Sequence, residues 1–499
     1  MKPIACRYRL IIMSESDSRR CIVVKRMIAL CMMLMLCTSA LASPIVAMYS
    51  VGDDYAPYFI LLDESGNLLT PRDTYGNIWP IARDQSRNLF AVSRAALETV
   101  PENDADYVPN PCALMDADGN LLTGFDYLSL DYFPEDHVVI FADMDGMHGA
   151  MDESGSIIVE SGYISLCPNG AGGFLAIAGP EDGPIDYEKA YPVEYIDANG
   201  RPFDTGVTAM PYGLSGFSEG FCAVTHSYED RDSGCLFLDS EGTNVFGRGY
   251  GYSDGFYGNY AVVSDSSSGL YAFIDKTGAF VTEPIYASID PGRYYDSGVF
   301  LACTGDEALV LDAYTLETRA RIDLKSAGAD YAYLSGKHFI AAYGNERSFL
   351  YDLDGNRIVS GVLSVDHYYG YADAMPGRLI ITYGEWPDNA SHLIDGSGEL
   401  VGPEFQTIYA ASWKDGQGRY IFGTYEIIEG EDGERWPNWS SYRYGLCDED
   451  GNTLLEAKYA SLDYMAPGLY WADLGPRCGL IDETGKWLYA INDYEYLMD

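Results

Sequence analysis

The stretch Gly216-Phe217-Ser218-Glu219-Gly220 has the spacing G-x-S-x-G that carries a nucleophilic serine in many hydrolases, on a sharp turn between a strand and a helix. A second match, Gly251-Tyr252-Ser253-Asp254-Gly255, follows a short way downstream, and two such elbows in one domain would be odd. After Ser218 comes Phe221-Cys222-Ala223-Val224, which reads as a strand where the elbow needs a helix. Both serines are therefore read as turn residues, and no catalytic residue is assigned. His137, His148, His226, His338, His367 and His392 are scattered without metal-ligand spacing, and no glycine loop opens onto a helix to hold phosphate. No cofactor and no metal site are expected.

Two other residue sets have chemical potential. Six of the seven tryptophans lie after position 380, and Trp386, Trp413, Trp436 and Trp439 fall in or near loops. Exposed aromatics beside carboxylates would suit stacking on sugars or gripping a protein partner, although tryptophans also plug interfaces between repeats. Trp471 and Trp487 sit on strand patterns and read as core. The turns Asp116-Asp118-Asn120, Asp352-Asp354-Asn356 and Asp448-Asp450-Asn452 gather carboxylates that suit calcium, but they lack the distal Glu of a calcium-binding loop. Hairpin chemistry explains the same letters. Glycosidase chemistry would need two carboxylates in one cleft, and with 75 Asp and Glu the sequence selects no pair.

The elements that must carry these residues repeat. An apolar strand ending in Asp recurs at Asp63, Asp116, Asp152, Asp197, Asp239, Asp275, Asp312, Asp352, Asp395, Asp448 and Asp482, a period of about 42 residues. All but Asp312, in Asp312-Ala-Tyr-Thr315, open D-x-x-G. In that pattern Asp bonds the backbone two residues on and Gly takes the positive-φ position that closes a hairpin. A Tyr strand follows, as in Tyr127-Leu-Ser-Leu130, Tyr163-Ile-Ser-Leu166, Tyr286-Ala-Ser-Ile289 and Tyr459-Ala-Ser-Leu462. Then comes a Gly-led strand such as Gly258-Asn-Tyr-Ala-Val-Val263 or Gly468-Leu-Tyr-Trp-Ala472. Each period thus holds three or four short strands.

The segments Phe217-Ser218-Glu219-Gly220, Tyr444-Gly445-Leu446-Cys447-Asp448 and Cys478-Gly479-Leu480-Ile481-Asp482 resemble the WG repeat of bacterial proteins, over most of residues 59 to 499. The signature Trp is replaced by Tyr444, Tyr271, His148, Cys112, Cys235 and Cys478, while its Gly survives as Gly149, Gly445 and Gly479. The resemblance implies a repeat-bearing, often exported protein that interacts rather than catalyses.

One such unit cannot bury both faces of its sheet, so units must stack. The period fits an all-β array of propeller-type blades, with an open β-superhelix as the alternative. The weakest repeat, at Asp312, suggests a division into 43–310 (repeats 1–6) and 311–499 (repeats 7–11), the alternative being one continuous array.

Residues 1–42 read as a signal peptide. Arg19, Arg20, Lys25 and Arg26 precede the apolar run Met27 to Cys37, and Ala40-Leu41-Ala42 supplies the cleavage site. The run is short for a membrane span, and Leu36 before Cys37 does not fit a lipoprotein signal. Seven of the 31 Lys and Arg and two of the 75 Asp and Glu lie in that leader, leaving 24 basic against 73 acidic residues. Nucleic acid and anionic membranes are poor partners for such a surface. Seven cysteines remain, an odd number with no C-x-x-C, and read as small core residues.

The sequence points to an exported, non-catalytic scaffold that binds a protein or glycan. A carbohydrate-active propeller enzyme and a purely structural spacer are the rival readings. Because acidic self-repulsion is screened by salt, the melting temperature should rise from low to moderate ionic strength, and a flat response would contradict this account.

Overall fold

The computed structural model describes residues 44–492, apart from 51–56, 83–87, 95–109, 181–182, 228–233, 266–267, 293–296, 336–337, 345–346, 363, 367–377, 385–387, 396, 413–417 and 431–432. Pro44–Asp499 forms one compact unit. Each of the eleven anchoring aspartates ends or directly follows a strand of a small antiparallel meander, the third strand in blades 2 to 11 and the second described strand in blade 1, and we number the blades 1 to 11 in that order, from Asp63 to Asp482.

Blade 7 displays the plan: Ser288–Asp290, Val299–Cys303, Glu307–Asp312 and Thr318–Asp323 pair in sequence order. In blades 1, 2, 5 and 6 the turn leads to isolated bridges in place of a full fourth strand, as at Leu62↔Leu68 and Met115↔Leu121, and blades 5 and 6 add a second bridge each, at Cys235↔Tyr250 and Tyr271↔Tyr286. The chain runs directly from the fourth strand of one blade into the first of the next. Ile157–Pro168 does so unbroken, its first half pairing with His148–Asp152 and its second with Phe174–Ala178.

The middle strands are buried on both faces, which explains their uninterrupted apolar runs. In Leu89–Arg94, Phe90 and Val92 pack into a core shared with blade 1, while Leu89 and Ala91 pack into a core shared with blade 3. The period-2 alternation of a strand thus assigns alternate side chains to opposite neighbours. Each fully buried Leu or Phe contributes about 1.5–3 kcal/mol.

Such cores join blades 1–2, 2–3, 3–4, 4–5 and 5–6. Others join 6–7, 7–8, 8–9, 9–10 and 10–11. The eleventh joins the ends: Ile45, Ala47, Ile60 and Leu62 of blade 1 share a core with Ala466, Trp471, Leu480 and Ile491 of blade 11. Eleven blades with eleven interfaces make a closed circuit, so the open superhelix is not adopted. The division expected between 310 and 311 falls inside the strand Glu307–Asp312, which is hydrogen-bonded on both sides. One core spans that blade and the next, from Val310 to Phe349.

The D-x-x-G turns follow one design. At Asp63, Oδ1 accepts from Ser65 N at 2.9 Å and Asn67 N at 2.8 Å, Gly66 N donates to Asp63 O at 3.0 Å, and Gly66 takes φ 83°. Asp312 departs because its turn is one residue longer: its N–H reaches Glu317 O rather than the carbonyl four residues on, and Leu316 takes φ 57°. The surviving signature glycines have a separate cause. A Cβ on Gly149 would lie 2.7 Å from Val159 O, and one on Gly445 would lie 2.6 Å from Leu455 O, where the fourth strand bulges against the third.

Cys112, Cys167, Cys222, Cys235, Cys303, Cys447 and Cys478 are all buried. Burial pushes Cys112 up to about 11 and Cys447 up to about 12, so they serve as packing groups rather than nucleophiles. Ser218 is likewise occupied: its Oγ donates to Phe256 O at 2.6 Å, and Glu219 and Gly220 turn the chain into the strand Phe221–Thr225.

Ser154, Thr277 and Ser397 donate their hydroxyls to Asp152, Asp275 and Asp395, and these bonds hold the three carboxyls below their usual range. A depressed folded pKa gives stability that is present above the unfolded pKa and lost as pH falls through the folded one. The melting temperature should therefore drop as pH is lowered below about 4, and drop less in an Asp152→Ala/Asp275→Ala/Asp395→Ala variant. An unchanged acid limb in that variant would show that the turns do not carry the effect.

Candidate functional site

The meander gives the circuit two rims. The D-x-x-G turns occupy the rim where third strands end. The opposite rim carries the connections between second and third strands, and blade 10 inserts residues there between Arg419–Thr424 and Arg443–Cys447. The insertion is a short hairpin, Ile427–Glu429 against Arg435–Pro437, followed by a 3-10 turn at Trp439–Ser441.

Polar bonds hold it in place. Gln406 clasps Tyr425, with Nε2 donating to Tyr425 O at 3.0 Å and Oε1 accepting from Tyr425 N at 2.9 Å. Asn438 N donates to Glu426 O at 2.7 Å, and Ser441 Oγ accepts from Glu426 N at 2.8 Å. Arg435 pairs with Asp388 of blade 9.

On this frame stands an aromatic ladder. Trp439, 69% exposed, lies parallel to Tyr442 at 5.5 Å and 7°, and Tyr442 stacks on Tyr425 at 4.6 Å. Tyr444 and Tyr409 continue the aromatic lining, and with Thr407 and Arg443 they border an open cleft of about 560 Å³. Burial, with Tyr425 and Tyr444 nearby, pushes Tyr442 up to about 12, so its phenol stays neutral. The cleft therefore offers π-faces, neutral hydroxyls and one guanidinium.

Two neighbouring blades carry parallel stacks at the same rim. In blade 8, Tyr331, 57% exposed, stacks on Tyr343 at 5.5 Å, and Tyr343 stacks on Tyr333 at 5.3 Å with the two hydroxyls 2.8 Å apart. In blade 9, Tyr383 lies over His392 at 5.7 Å and 13°. Its hydroxyl donates to Glu404 at 2.6 Å, a bond that, with burial, pushes the phenol up to about 12. Three consecutive blades thus share one aromatic rim.

Of the tryptophans singled out from the sequence, Trp439 is the exposed rung of the ladder and Trp436 is half-buried in the hairpin, paired across from Ile428. Trp386 and Trp413 lie outside the described residues. Trp471 is buried, and Trp487 packs beside that same blade's core under the Arg477 guanidinium. The tyrosine stacks were missed. Their signal is Tyr331-Ala-Tyr333, two residues apart and hence on one face of a strand, with Tyr343 directly opposite Tyr331. The three D-x-D-G-N turns close hairpins: in each, Asn Nδ2 donates back to the anchoring Asp, as Asn120 does to Asp116 at 3.0 Å. Among the described residues no three His, Cys, Asp or Glu side chains gather as a metal site.

The circuit of meander blades defines the chain as a β-propeller. No family model matches the sequence, and no curated protein does. Among solved structures, a eukaryotic initiation factor aligns at 12% identity over 73% of this chain and 97% of its own, with a TM-score of 0.39. BamB from Moraxella catarrhalis aligns at 11% identity over 62% and 97%, with a TM-score of 0.26. Sqt1 from Saccharomyces cerevisiae aligns at 12% over 65% and 94%, with a TM-score of 0.29. These scores are too low to argue from, and the architecture rests on the strand pairing and the cores.

Gln406→Ala should lower the melting temperature modestly, by the equivalent of about 1–2 kcal/mol for two lost hydrogen bonds to Tyr425. It should also increase acrylamide quenching of the Trp439 fluorescence, read in a background where the other loop tryptophans are Phe. Unchanged quenching would mean that the ladder does not depend on this clasp.

Proposed function

We propose that this is an exported binding scaffold that holds a glycan along the aromatic rim of blades 8 to 10. The observation that carries the reading is the Trp439–Tyr442–Tyr425 ladder beside an open cleft. Sugar rings present C–H faces that pack on aromatic rings, and hydroxyls that bond neutral phenols. Stacks on three successive blades suit a chain of several sugar units, each adding a modest contribution. The net charge of −44 would repel polyanions, so the favoured ligands are uncharged glycans or amino sugars. Export rests on the leader reading.

The test is titration of the protein spanning residues 43–499 against a panel of neutral, amino and acidic polysaccharides, by calorimetry and thermal shift. Wild type should bind a neutral or amino-sugar polymer. Trp439→Ala should weaken it at least tenfold, about 1.4 kcal/mol, and Tyr331→Ala should weaken long chains more than short ones. Binding that is indifferent to both substitutions would remove the rim from consideration. Preference for acidic polymers would overturn the electrostatic argument. Cleavage of a bound glycan would make the protein an enzyme.

A further inference from the structure

Of the Tyr, Trp and Phe side chains more than half exposed among the described residues, all but Phe203 and Tyr314 stand on the rim of the second-to-third connections. Trp439 and Tyr331 belong to the stacks on blades 8 to 10. Tyr187 and Tyr212 form a further stack where blade 4 meets blade 5, with ring centroids 6.0 Å apart and 17° between their planes.

The pair comes from two connections that the fold brings to one place. Tyr187 lies between Phe174–Ala178 and Tyr191–Ile196, and Tyr212 lies between Pro202–Ala209 and Leu214–Ser218. On the Tyr187 side, Asp186 N donates to the Tyr191 hydroxyl at 2.8 Å, Lys189 N donates to Asp186 O at 3.2 Å, and Ile185 packs against the core shared by blades 4 and 5. On the Tyr212 side, Met210 N donates to Thr225 O at 2.9 Å and Thr225 N donates to Gly213 O at 2.7 Å, which ties both feet of the turn to Phe221–Thr225. Both rings are therefore held in place by the blades beneath them.

Folding gives little reason for a ring at position 212. Tyr212 is 63% exposed and takes φ 61°, a left-handed conformation that suits glycine and strains a bulky residue. Its ring rests on Tyr187, itself 56% exposed. Backbone strain kept at an exposed ring points to a role outside the fold.

The surroundings decide what such a ring pair would hold. Asp186, Glu188 and Lys189 beside it are exposed, so the pair is an aromatic island rather than part of the contiguous apolar patch that a protein partner needs. Lys189 Nζ is engaged over the Tyr191 ring at 5.3 Å. The hydrogen bond with Tyr187, together with burial, raises the Tyr212 phenol, which stays neutral. A flat neutral platform of this size matches the C–H face of a sugar unit.

We propose that Tyr187 and Tyr212 form a second sugar-binding platform, an inference that rests on the glycan reading of blades 8 to 10. Three blade-to-blade steps separate blade 5 from blade 8, about 30 Å along the rim at the ~10 Å spacing of packed sheets. Tyr252, 54% exposed on blade 6 with its N–H donating to Ser264 Oγ at 2.8 Å, stands between the two platforms. A long polymer lying on this rim reaches both, and gains the avidity of two linked sites.

The test is calorimetry on the protein spanning residues 43–499 with cellotetraose and chitotetraose, neutral and N-acetylated amino-sugar chains shorter than the gap between the platforms. Wild type should take two tetramers per chain, and Trp439→Ala and Tyr212→Gly should each take one. For polymers that reach both platforms, Tyr212→Gly should weaken binding at least tenfold. Because glycine suits the backbone at 212, this variant should melt within a degree of wild type, which separates lost binding from lost folding. A single site that Trp439→Ala abolishes and Tyr212→Gly leaves intact would overturn the inference while the proposed function stands. Neither tetramer bound by wild type would overturn it too, and the polysaccharide panel then shows whether the glycan reading falls with it. Decaproline bound by wild type and lost in Tyr212→Gly, with sugar binding untouched, would overturn it in favour of a proline-rich protein partner. A Tyr212→Gly variant melting several degrees lower would make the ring a packing group instead.

Discussion

A four-stranded meander has two apolar faces and no means of covering either, and the rest of this molecule follows from that constraint. The second and third strands of each blade are buried on both sides, so Phe90 and Leu89, adjacent in sequence, belong to different cores. Each blade is stable only between two others. A linear stack would leave an apolar face exposed at each end, about the area that elsewhere holds Ile45, Leu62, Leu480 and Ile491. Closing the circuit removes both faces at once.

The same meander separates conservation of geometry from freedom to vary. Third strands must turn tightly into fourth strands, and an Asp that satisfies two backbone N–H groups with a Gly at positive φ does this with little variation around the circuit. On the opposite rim the second-to-third connections have no such duty, so blade 10 can insert a hairpin and a 3-10 turn without disturbing the sheet beneath, where Phe422 still pairs with Gly445. Sites that vary between repeats therefore gather there. The Tyr331, Tyr383 and Trp439 stacks all lie on that rim.

Stacked tyrosines make up much of that rim, beside the Arg443 guanidinium and the Glu404 carboxylate. The tyrosines donate to carboxylates or to one another, as Tyr383 does to Glu404 and Tyr333 to Tyr343, and the phenols of Tyr383 and Tyr442 stay protonated well beyond neutral pH. Combined with the strongly acidic composition, this is the chemistry on which the proposed glycan recognition rests.

The repeat, the all-β class, the hairpin role of D-x-x-G and the packing role of the cysteines were legible in the sequence, because each is set by residues close together in the chain. A turn needs its Asp and Gly within four positions, and a doubly buried strand announces itself by an unbroken apolar run. Circuit closure was not legible, because it depends on small blade-to-blade rotations summing until Ile491 meets Ala47, and no single repeat encodes that sum. The division expected at Asp312 followed from a missing Gly, yet one extra turn residue and Leu316 at positive φ absorb the change locally and leave the cores on both sides continuous. The aromatic rim was half legible. Trp439 stood out by residue type, while Tyr331, Tyr343, Tyr383 and Tyr442 look like ordinary strand residues until the blades bring them to one rim. The sequence by itself determined the unit and its turns, which are local. The tertiary structure decided the closure and the shared aromatic surface, because both arise only when units far apart in the chain pack together.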